Sequence, residues 1–541
     1  MHLRTLLARA TKGHLTGLLV AMVVFLVYAN SLGNGFVMDD ASVILNNPVL
    51  RGSPFSLFER IDINSETELT PYYRPLSLLT FLVEGRLHGF SPFPMHLLSV
   101  LLHAANAYLV YRLASSLINN NPAASVLAGL LFAVHPINTE GVDFISARNT
   151  LLVCFFILAS YLVHERSIKQ GKKAGAVTGA ILFMAGLFSK EPALGVFPFI
   201  CFSELPFLRG SDPVLRRRAF VRLIPYTICL IVYFILRNNA LSLAGVRIDI
   251  ISGLGGRLMD NVYIIPKYLL MVVWPLSLSP EYDIPQDFHL LALPLVAAWV
   301  LIVVLFGWLL TRGRSRTTLF GLIWFAVFLV PVSGIIPIPS TQLAARYLYI
   351  PAIGLWLVMA DQAARLLSHE SVMLRRGMTV VTFVLLLLLA GLTIRRNLDW
   401  KNDITIFSRA VEQYPDNAVA HAELGMAYYN EYRLNDSNLR MAEQEFKKAL
   451  DLEPALQKVH TLLGSIHLAR GDEKGAMNHY TEALSRDPFD KEALVYRGMI
   501  LENLGRPKEA VNDYQLFLSV PGSGLAELRP YAEARIREIT R

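Results

Sequence analysis

The sequence predicts an all-α protein, in which a polytopic membrane helical bundle of about eleven spans precedes an α-solenoid of helical repeats. Of the 541 residues, 53% are hydrophobic and only 17% are charged, whereas an average soluble protein is about 25% charged. The apolar residues also form blocks that approach the roughly 20 residues a helix needs to cross a bilayer. From about residue 404 the composition becomes soluble and helical. We therefore expect a membrane domain over 1–400 and a repeat domain over 401–541.

Eleven apolar blocks are predicted to span the membrane. They cover residues 15–33, 96–118, 123–135, 149–164, 174–189, 192–208, 219–237, 289–311, 317–337, 346–367 and 376–394. The first block follows Arg4, Arg9 and Lys12, as in a signal peptide, but no convincing small-residue cleavage site precedes Gly33, so we expect an uncleaved span. A twelfth block, 262–278, is interrupted by prolines and is expected to be half-inserted or to lie at the interface.

Basic residues give the predicted orientation. Four clusters lie between apolar blocks and, by the positive-inside rule, share the cytoplasm with the N-terminus. They are Arg166/Lys169/Lys172/Lys173, Arg209/Arg216/Arg217/Arg218, Arg312/Arg314/Arg316 and Arg365/Arg375/Arg376. An odd number of crossings then puts the repeat domain on the non-cytoplasmic face, although Arg395, Arg396 and Lys401 lie on the wrong side for the rule. The same face would receive residues 34–95, 136–148, 238–288 and 338–345.

The C-terminal region carries tetratricopeptide repeats (TPR), which have a period of about 34 residues. The clearest copy has the expected residue types at His460, Leu463, Gly464, His467, Gly471, Ala476, Tyr480, Ala483 and Pro488. One copy with an insertion precedes it, a weaker copy follows, and 525–540 is predicted to be a capping helix. Glycine and alanine let the paired helices touch, and aromatic residues fill the gap between them. Such an array predicts a groove for a peptide or a partner protein; the alternative is a structural cap on the membrane domain.

Cysteine content and charge exclude other classes of protein. Cys154, Cys201 and Cys229 all lie inside apolar blocks, where they are expected to be small core residues and not a disulfide set or a metal site. The net charge is +7, but the basic residues lie between apolar blocks, so nucleic-acid binding is not expected.

The predicted non-cytoplasmic face carries most of the ionisable motifs. Asp39 and Asp40 directly follow the first span, where charge near hydrocarbon is costly unless it is hydrated or paired. Further along are Tyr73-Arg74, His135 with Glu140, Arg148, Lys190-Glu191 and Arg346-Tyr347. Each has a structural alternative: interfacial solvation or helix capping for the aspartates, snorkelling for Lys190 and Arg346, and a satisfied core histidine for His135. Their concentration on one face favours a functional site.

Carboxylates beside cations at a membrane interface suit group transfer from a phosphate-linked lipid. A carboxylate would remove the proton from an acceptor hydroxyl as general base. Cations would neutralise the departing phosphate, while the sugar carbon passes through an oxocarbenium-like state. On chemistry and position, Arg74, Lys190 and Arg346 are candidate phosphate contacts. Tyr73, His135, Glu140, Arg148, Glu191 and Tyr347 are further candidates, with Glu140 or Glu191 holding the acceptor or tuning a neighbouring cation.

The ordered motifs resemble the transmembrane and tetratricopeptide-repeat (TMTC-type) proteins and their bacterial relatives, in the GT-C group of glycosyltransferases. The resemblance covers essentially the whole chain. It rests on Asn34-Gly-Phe-Val-Met-Asp-Asp40, Tyr73-Arg-Pro75, His96-Leu-Leu-Ser-Val-Leu-Leu-His103 with Asn106, Phe132-Ala-Val-His-Pro136 with Thr139-Glu140, Ser189-Lys-Glu191 and Arg346-Tyr-Leu-Tyr349.

This resemblance implies an inverting enzyme with a GT-C-like membrane domain that uses a polyprenyl-phosphate sugar, mannose from dolichyl phosphate in the eukaryotic case. The acceptor would be a hydroxyl, as on protein Ser or Thr. GT-C enzymes carry acidic residues in the first outer loop, which assigns the catalytic role to Asp39 and Asp40 without distinguishing them. No protein-bound metal site is expected, and participation of Mg²⁺ or Mn²⁺ is left open. The short repeat array favours a bacterial inner-membrane protein with a periplasmic TPR domain, or a lumenal TPR domain in the endoplasmic reticulum of a eukaryote.

Two other functions are compatible with the sequence. A non-catalytic envelope assembly factor would use the repeats to recruit a partner, and it would tolerate Asn at positions 39 and 40. A lipid or polysaccharide transporter would bury ionisable residues near the bilayer midplane or show matching halves. The density of motifs at span ends favours the transferase.

Overall fold

A computed structural model describes residues 2–58, 72–118, 121–171, 173–243, 254–282, 293–313, 315–335, 342–367, 370–431, 436–520 and 525–541. Within these ranges the chain is helical and contains no strand, so the predicted all-α class is confirmed. It divides into two compact units, a membrane unit that ends at Asn402 and a repeat unit that occupies Asp403–Arg541.

The membrane unit contains fourteen α-helices among its described residues. They are α1 (His2–Tyr28), α2 (Pro75–His88), α3 (Pro92–Leu117), α4 (Pro122–Val134), α5 (Thr139–Asp143), α6 (Arg148–Gln170), α7 (Lys173–Ser189), α8 (Val196–Arg209), α9 (Pro213–Leu243), α10 (Leu254–Val273), α11 (Leu293–Thr311), α12 (Arg316–Leu329), α13 (Pro351–Leu367) and α14 (Val372–Asp399). Proline at the first position of α2, α3 and α4 favours helix initiation because its missing N–H would have no intrahelical partner there.

A helix lies over each of the eleven predicted spans. Among the described residues, seven helices are long and apolar enough to cross a membrane, and α4 with the helical segment after it, bent by 51°, would make an eighth. The segments Ala174–Ser189 and Arg316–Val332 are apolar but shorter. The membrane bundle is therefore confirmed, and the number of eleven crossings stays a prediction. Exposed apolar side chains such as Leu301 and Val303 on α11 suit a lipid-facing surface.

The C-terminal ends of α1 and α14 meet at one end of the bundle, which we call the Asp40 end. The Asn34 side chain donates to the carbonyl of Asn397 at 2.9 Å, and the Gly35 N–H donates to the carbonyl of Lys401 at 3.0 Å. The loop that carries Asp39 and Asp40 is thus attached to the last residues of the membrane unit.

Helix α10 makes its contacts at the same end of the bundle. His135, which follows α4, hydrogen-bonds through Nε2 to the carbonyl of Val272 at 3.0 Å. The Tyr268 hydroxyl donates to the carbonyl of Val332, just after α12, at 3.3 Å. The interface position of the proline-interrupted 262–278 block stays a prediction.

Among its described residues the repeat unit contains eight α-helices, which form three successive pairs preceded by one helix and followed by one terminal helix. They are α15 (Asp403–Gln413), α16 (Ala418–Glu431), α17 (Asp436–Leu452), α18 (Gln457–Ala469), α19 (Glu473–Arg486), α20 (Lys491–Asn503), α21 (Pro507–Ser519) and α22 (Arg529–Ile539). A Cβ added at Gly464 would lie 2.7 Å from the Tyr480 ring, so this glycine is required for the close approach of α18 and α19.

Candidate active site

The acidic loop gives its two aspartates different environments. Met38 has φ of 52°, a left-handed conformation that is uncommon for a residue with a side chain. After this turn the Asp39 side chain is exposed, and among the described residues its carboxylate accepts no hydrogen bond. Asp40 is fully buried. The neighbouring carboxylates therefore do not share one role.

Asp40 holds the loop against the segment that precedes α6. Its Oδ1 accepts hydrogen bonds from the Ser146 N–H at 2.7 Å and the Ser146 hydroxyl at 2.6 Å. Its Oδ2 accepts from the Val37 N–H at 3.1 Å. Burial nevertheless raises the pKa of Asp40 to about 7, against the effect of these hydrogen bonds, because a charge in a poorly solvated site is costly.

Arg346 is anchored by Glu140. The Arg346 backbone N–H donates to Glu140 Oε2 at 3.1 Å, and its guanidinium forms an ion pair with Oε1 of the same carboxylate. The guanidinium also lies 5.2 Å from the centre of the Tyr347 ring. Burial disfavours the charged guanidinium, but Glu140, Tyr347 and Asp39 stabilise it. Arg346 is therefore a fixed positive charge within electrostatic reach of Asp39.

Arg74 is held in a comparable way from the start of α2. Its Nε and Nη2 donate to Glu191 Oε2 at 3.3 and 2.9 Å, and its guanidinium lies 3.8 Å from the centre of the Tyr72 ring. An ion pair and an aromatic face together fix the orientation of the arginine. The structure thus places Glu140 and Glu191 as partners of two arginines.

Lys190 follows α7 and completes the cationic group. Its Nζ donates to Thr150 Oγ1 at 2.8 Å. Its pKa lies well below the ordinary value for lysine because burial disfavours the ammonium and because Arg74 and Arg346 repel it. Lys190 therefore lies within electrostatic reach of both arginines, although the three cations come from distant parts of the sequence.

A small cleft borders Lys190 and Arg346. Its polar lining comes from Thr150, Lys190, Arg346 and Tyr347, and its apolar lining includes Phe328 and Val332 near the end of α12. The lining of this small cleft therefore combines positive charge with apolar side chains.

The remaining sequence candidates have structural partners. The Tyr73 hydroxyl donates to the Phe58 carbonyl at 2.9 Å. The His135 ring accepts from the Ile137 N–H and bonds to α10, and it lies 4.7 Å from the Trp356 ring. Arg148 is fully buried, is paired with Glu84, and donates to the Met95 carbonyl at 2.9 Å. Each of these three side chains therefore has partners within the protein, which is the structural alternative for its role.

Sequence reasoning did not assign roles to Ser146, Thr150, Tyr72 and Glu84. Ser146 and Tyr72 lie close to the candidate residues Arg148 and Tyr73 in the sequence, but a hydroxyl group or an aromatic ring alone does not indicate a role. Thr150 and Glu84 lie inside apolar helices. The fold shows that Thr150 accepts a hydrogen bond from Lys190 and that Glu84 is the ion-pair partner of Arg148.

Among the described residues there is no group of three or more His, Cys, Asp or Glu side chains arranged to hold a metal ion. Participation of Mg²⁺ or Mn²⁺ in the reaction stays a prediction.

Comparisons with known proteins agree with this architecture. Residues 78–239 match the family model for dolichyl-phosphate-mannose-protein mannosyltransferase, and residues 457–490 match a tetratricopeptide-repeat model. A protein O-mannosyl-transferase of Caenorhabditis elegans is 27% identical, with 80% of this chain and 62% of that protein covered. The human protein O-mannosyl-transferase TMTC3 is 25% identical, with 92% of this chain and 63% of that protein covered.

The human protein O-mannosyl-transferase TMTC1 is 24% identical, with 82% of this chain and 55% of that protein covered. The chain thus spans about three fifths of the length of these relatives. The predicted resemblance to the TMTC-type proteins is confirmed, whereas a bacterial origin stays a prediction.

Proposed function

We propose that this TMTC-type chain is a membrane glycosyltransferase that moves a sugar, with mannose the first choice, from a polyprenyl phosphate to a hydroxyl of protein Ser or Thr. The observation that carries the proposal is a group of charges at a small, partly apolar cleft. Lys190 and Arg346 line the cleft, Arg74 lies within electrostatic reach of Lys190, and the exposed carboxylate of Asp39 lies within electrostatic reach of Arg346. The similarity to protein O-mannosyl-transferases supports the choice of sugar and acceptor.

In the proposed reaction Asp39 is the general base. Its carboxylate is exposed and free to meet an acceptor hydroxyl. The hydroxyl proton moves to Asp39 while the hydroxyl oxygen attacks the anomeric carbon. The bond from that carbon to the phosphate oxygen breaks, and polyprenyl phosphate leaves with the electron pair. A single displacement of this kind inverts the anomeric configuration.

Asp40 serves as a positioning residue in this mechanism. All its hydrogen bonds go to Val37 and Ser146, and it is buried away from any acceptor. It fixes the turn from which Asp39 projects.

The cations stabilise the leaving phosphate. Phosphate departure requires charge neutralisation, and fixed donors in a poorly hydrated site provide it without reorganisation. Arg74 and Arg346 are preoriented by Glu191 and Glu140. Lys190, whose pKa is lowered in the absence of an anion, would gain its full charge when the phosphate enters. The lipid chain would leave the cleft past Phe328 and Val332.

The repeat domain is proposed to lie in the compartment that Asp39 faces. Helix α14 ends beside the acidic loop, through the contact of Lys401 with Gly35, and the repeat unit begins at Asp403. Chain continuity therefore directs the repeats to that compartment, the periplasm of a bacterium or the lumen of the endoplasmic reticulum. There the TPR groove would hold the acceptor protein or a partner.

The direct test is an in vitro transfer assay with the full chain in lipid nanodiscs. Radiolabelled mannose on dolichyl or undecaprenyl phosphate is offered with a Ser/Thr-rich peptide, and the same peptide with Ala at those positions is the control. We expect one hexose on the hydroxyl peptide, with the anomeric configuration opposite to that of the donor. Absence of transfer from either lipid, with label retained on the donor, would instead support the assembly-factor function.

A further inference from the structure

Arg396, near the end of α14, is one of the basic residues that lie on the wrong side for the positive-inside rule. Its charge is compensated in the structure. The guanidinium donates to Asp399 at 2.8 Å and lies within electrostatic reach of the buried Asp143. Because Arg396 is itself buried and paired, it has a structural role at this position, which its aromatic neighbour identifies.

A stack of four side chains connects Arg396 to Arg346. The Arg396 guanidinium lies 5.9 Å from the centre of the Trp400 ring. The rings of Trp400 and Phe144 are stacked, with their centres 6.0 Å apart and their planes at 22°. The Arg346 guanidinium lies 5.7 Å from the centre of the Phe144 ring. These distances are typical of cation–π and offset-stacked contacts, so the end of α14 reaches Arg346 through two aromatic rings.

Phe144 is the ring that ties Arg346 to another segment of the bundle. Tyr347 lies closer to the guanidinium, at 5.2 Å, but it is the next residue in the chain and moves with Arg346. Phe144 directly follows α5, the helix that also carries Glu140, the ion-pair partner of Arg346. The position of this segment therefore determines two of the contacts that orient the guanidinium.

Trp400 is suited to hold Phe144 in place. Its ring is fully buried, and among the described residues its indole N–H donates no hydrogen bond. An unpaired buried N–H is costly, so phenylalanine or leucine would be more favourable if this position only filled the core. Tryptophan gives the strongest cation–π contact of the aromatic side chains and a large ring for stacking.

We propose that Trp400 is a positioning residue for the transfer reaction. It holds Phe144, and through Phe144 it keeps the Arg346 guanidinium in the orientation that receives the donor phosphate. This inference rests on the proposed function, in which Arg346 contacts that phosphate. The motifs identified in the sequence do not include Trp400, so the end of α14 gains a part in the active site.

The test compares two substitutions that both remove the indole N–H and differ in the aromatic ring. Trp400→Leu should raise the KM for the donor roughly three- to tenfold, the effect of losing one cation–π support, with a smaller change in kcat. Trp400→Phe keeps a ring against Phe144 and should have a donor KM near that of the wild type. Phe144→Leu removes the middle ring and should raise the donor KM by a similar factor, which provides a second test if one variant does not fold.

The control is Tyr226→Leu on α9. Tyr226 is fully buried and packs against His164 and Phe183, so this variant should lower the melting temperature without changing the donor KM. Equal donor KM values in Trp400→Leu and Trp400→Phe, or the same increase in Tyr226→Leu, would overturn the proposal.

Amide hydrogen exchange separates this inference from the proposed function. In Trp400→Leu, exchange over Ala345–Leu348 should be faster than in the wild type, whereas Trp400→Phe should exchange like the wild type. A wild-type chain without transfer activity would refute the proposed function, and the exchange pattern would still decide whether Trp400 holds Arg346. Equal exchange over this segment in all three proteins would overturn the positioning role.

Discussion

Replacing each aspartate of the acidic loop with asparagine should separate chemistry from stability. Asp39 is exposed, and among the described residues its carboxylate accepts no hydrogen bond, so Asp39→Asn should change the free energy of unfolding by less than about 0.5 kcal/mol. The same change removes the general base, which contributes roughly 10²–10⁴ in rate, or about 3–5 kcal/mol of activation free energy.

Asp40→Asn should behave differently because the Asp40 carboxylate accepts three hydrogen bonds in a buried site. The asparagine amide can accept on one oxygen only. At least one hydrogen bond to a charged group is lost, which costs about 1.5–3 kcal/mol. This variant should therefore melt at a lower temperature and also lose activity.

The assay pairs single-turnover transfer from radiolabelled polyprenyl-phosphate mannose with thermal melts of the same preparations. Asp416→Asn, an exposed aspartate of the repeat unit, serves as the matched control and should match the wild type in both measurements. Near-normal transfer by Asp39→Asn, or loss of transfer by Asp40→Asn with an unchanged melting temperature, would refute the division of roles between the two aspartates.

Three further predictions concern the cations and pH. Arg346→Lys keeps the charge but loses the planar guanidinium held by Glu140. The KM for the donor should therefore rise roughly tenfold or more, with a smaller change in kcat. The same donor KM in the variant and the wild type would contradict this prediction. Thr150→Val removes the hydrogen-bond partner of Lys190. Loss of one hydrogen bond worth about 1 kcal/mol should raise the KM for the donor about fivefold, whereas Thr150→Ser keeps the hydroxyl and should have a KM near that of the wild type. Burial raises the pKa of Asp40 from 3.8 to about 7. Between these pH values the folded state therefore binds more protons than the unfolded state, and stability falls as pH rises. The melting temperature should be higher at pH 5.5 than at pH 8, and the contribution of Asp40 to that difference should vanish in Asp40→Asn.

The membrane bundle and the repeats were predictable because their signals are local. A span needs only a sufficiently long apolar block, and Gly464 with Tyr480 lies within one repeat.

The partners of the site residues were not predictable, because they are distant in sequence. Ser146 meets Asp40 across 106 residues, and Thr150 meets Lys190 across 40 residues. The family resemblance assigned the catalytic role to Asp39 and Asp40 without distinguishing them, and nothing in two adjacent carboxylates indicates that one is exposed and the other buried. That distinction depends on the turn at Met38 and on how the segment before α6 packs against the loop.

The proposed active site requires the acidic loop and the repeats to share the non-cytoplasmic compartment. Single cysteines can be placed at the exposed serines Ser53 in the outer loop, Ser485 in the repeats and Ser211 between α8 and α9, with Cys154, Cys201 and Cys229 replaced by alanine. A membrane-impermeant maleimide is then applied from the non-cytoplasmic side of intact membranes. We predict that positions 53 and 485 are labelled and that position 211 is labelled only after permeabilisation. Labelling of position 211 with protection of position 53 or 485 would contradict the proposed active site.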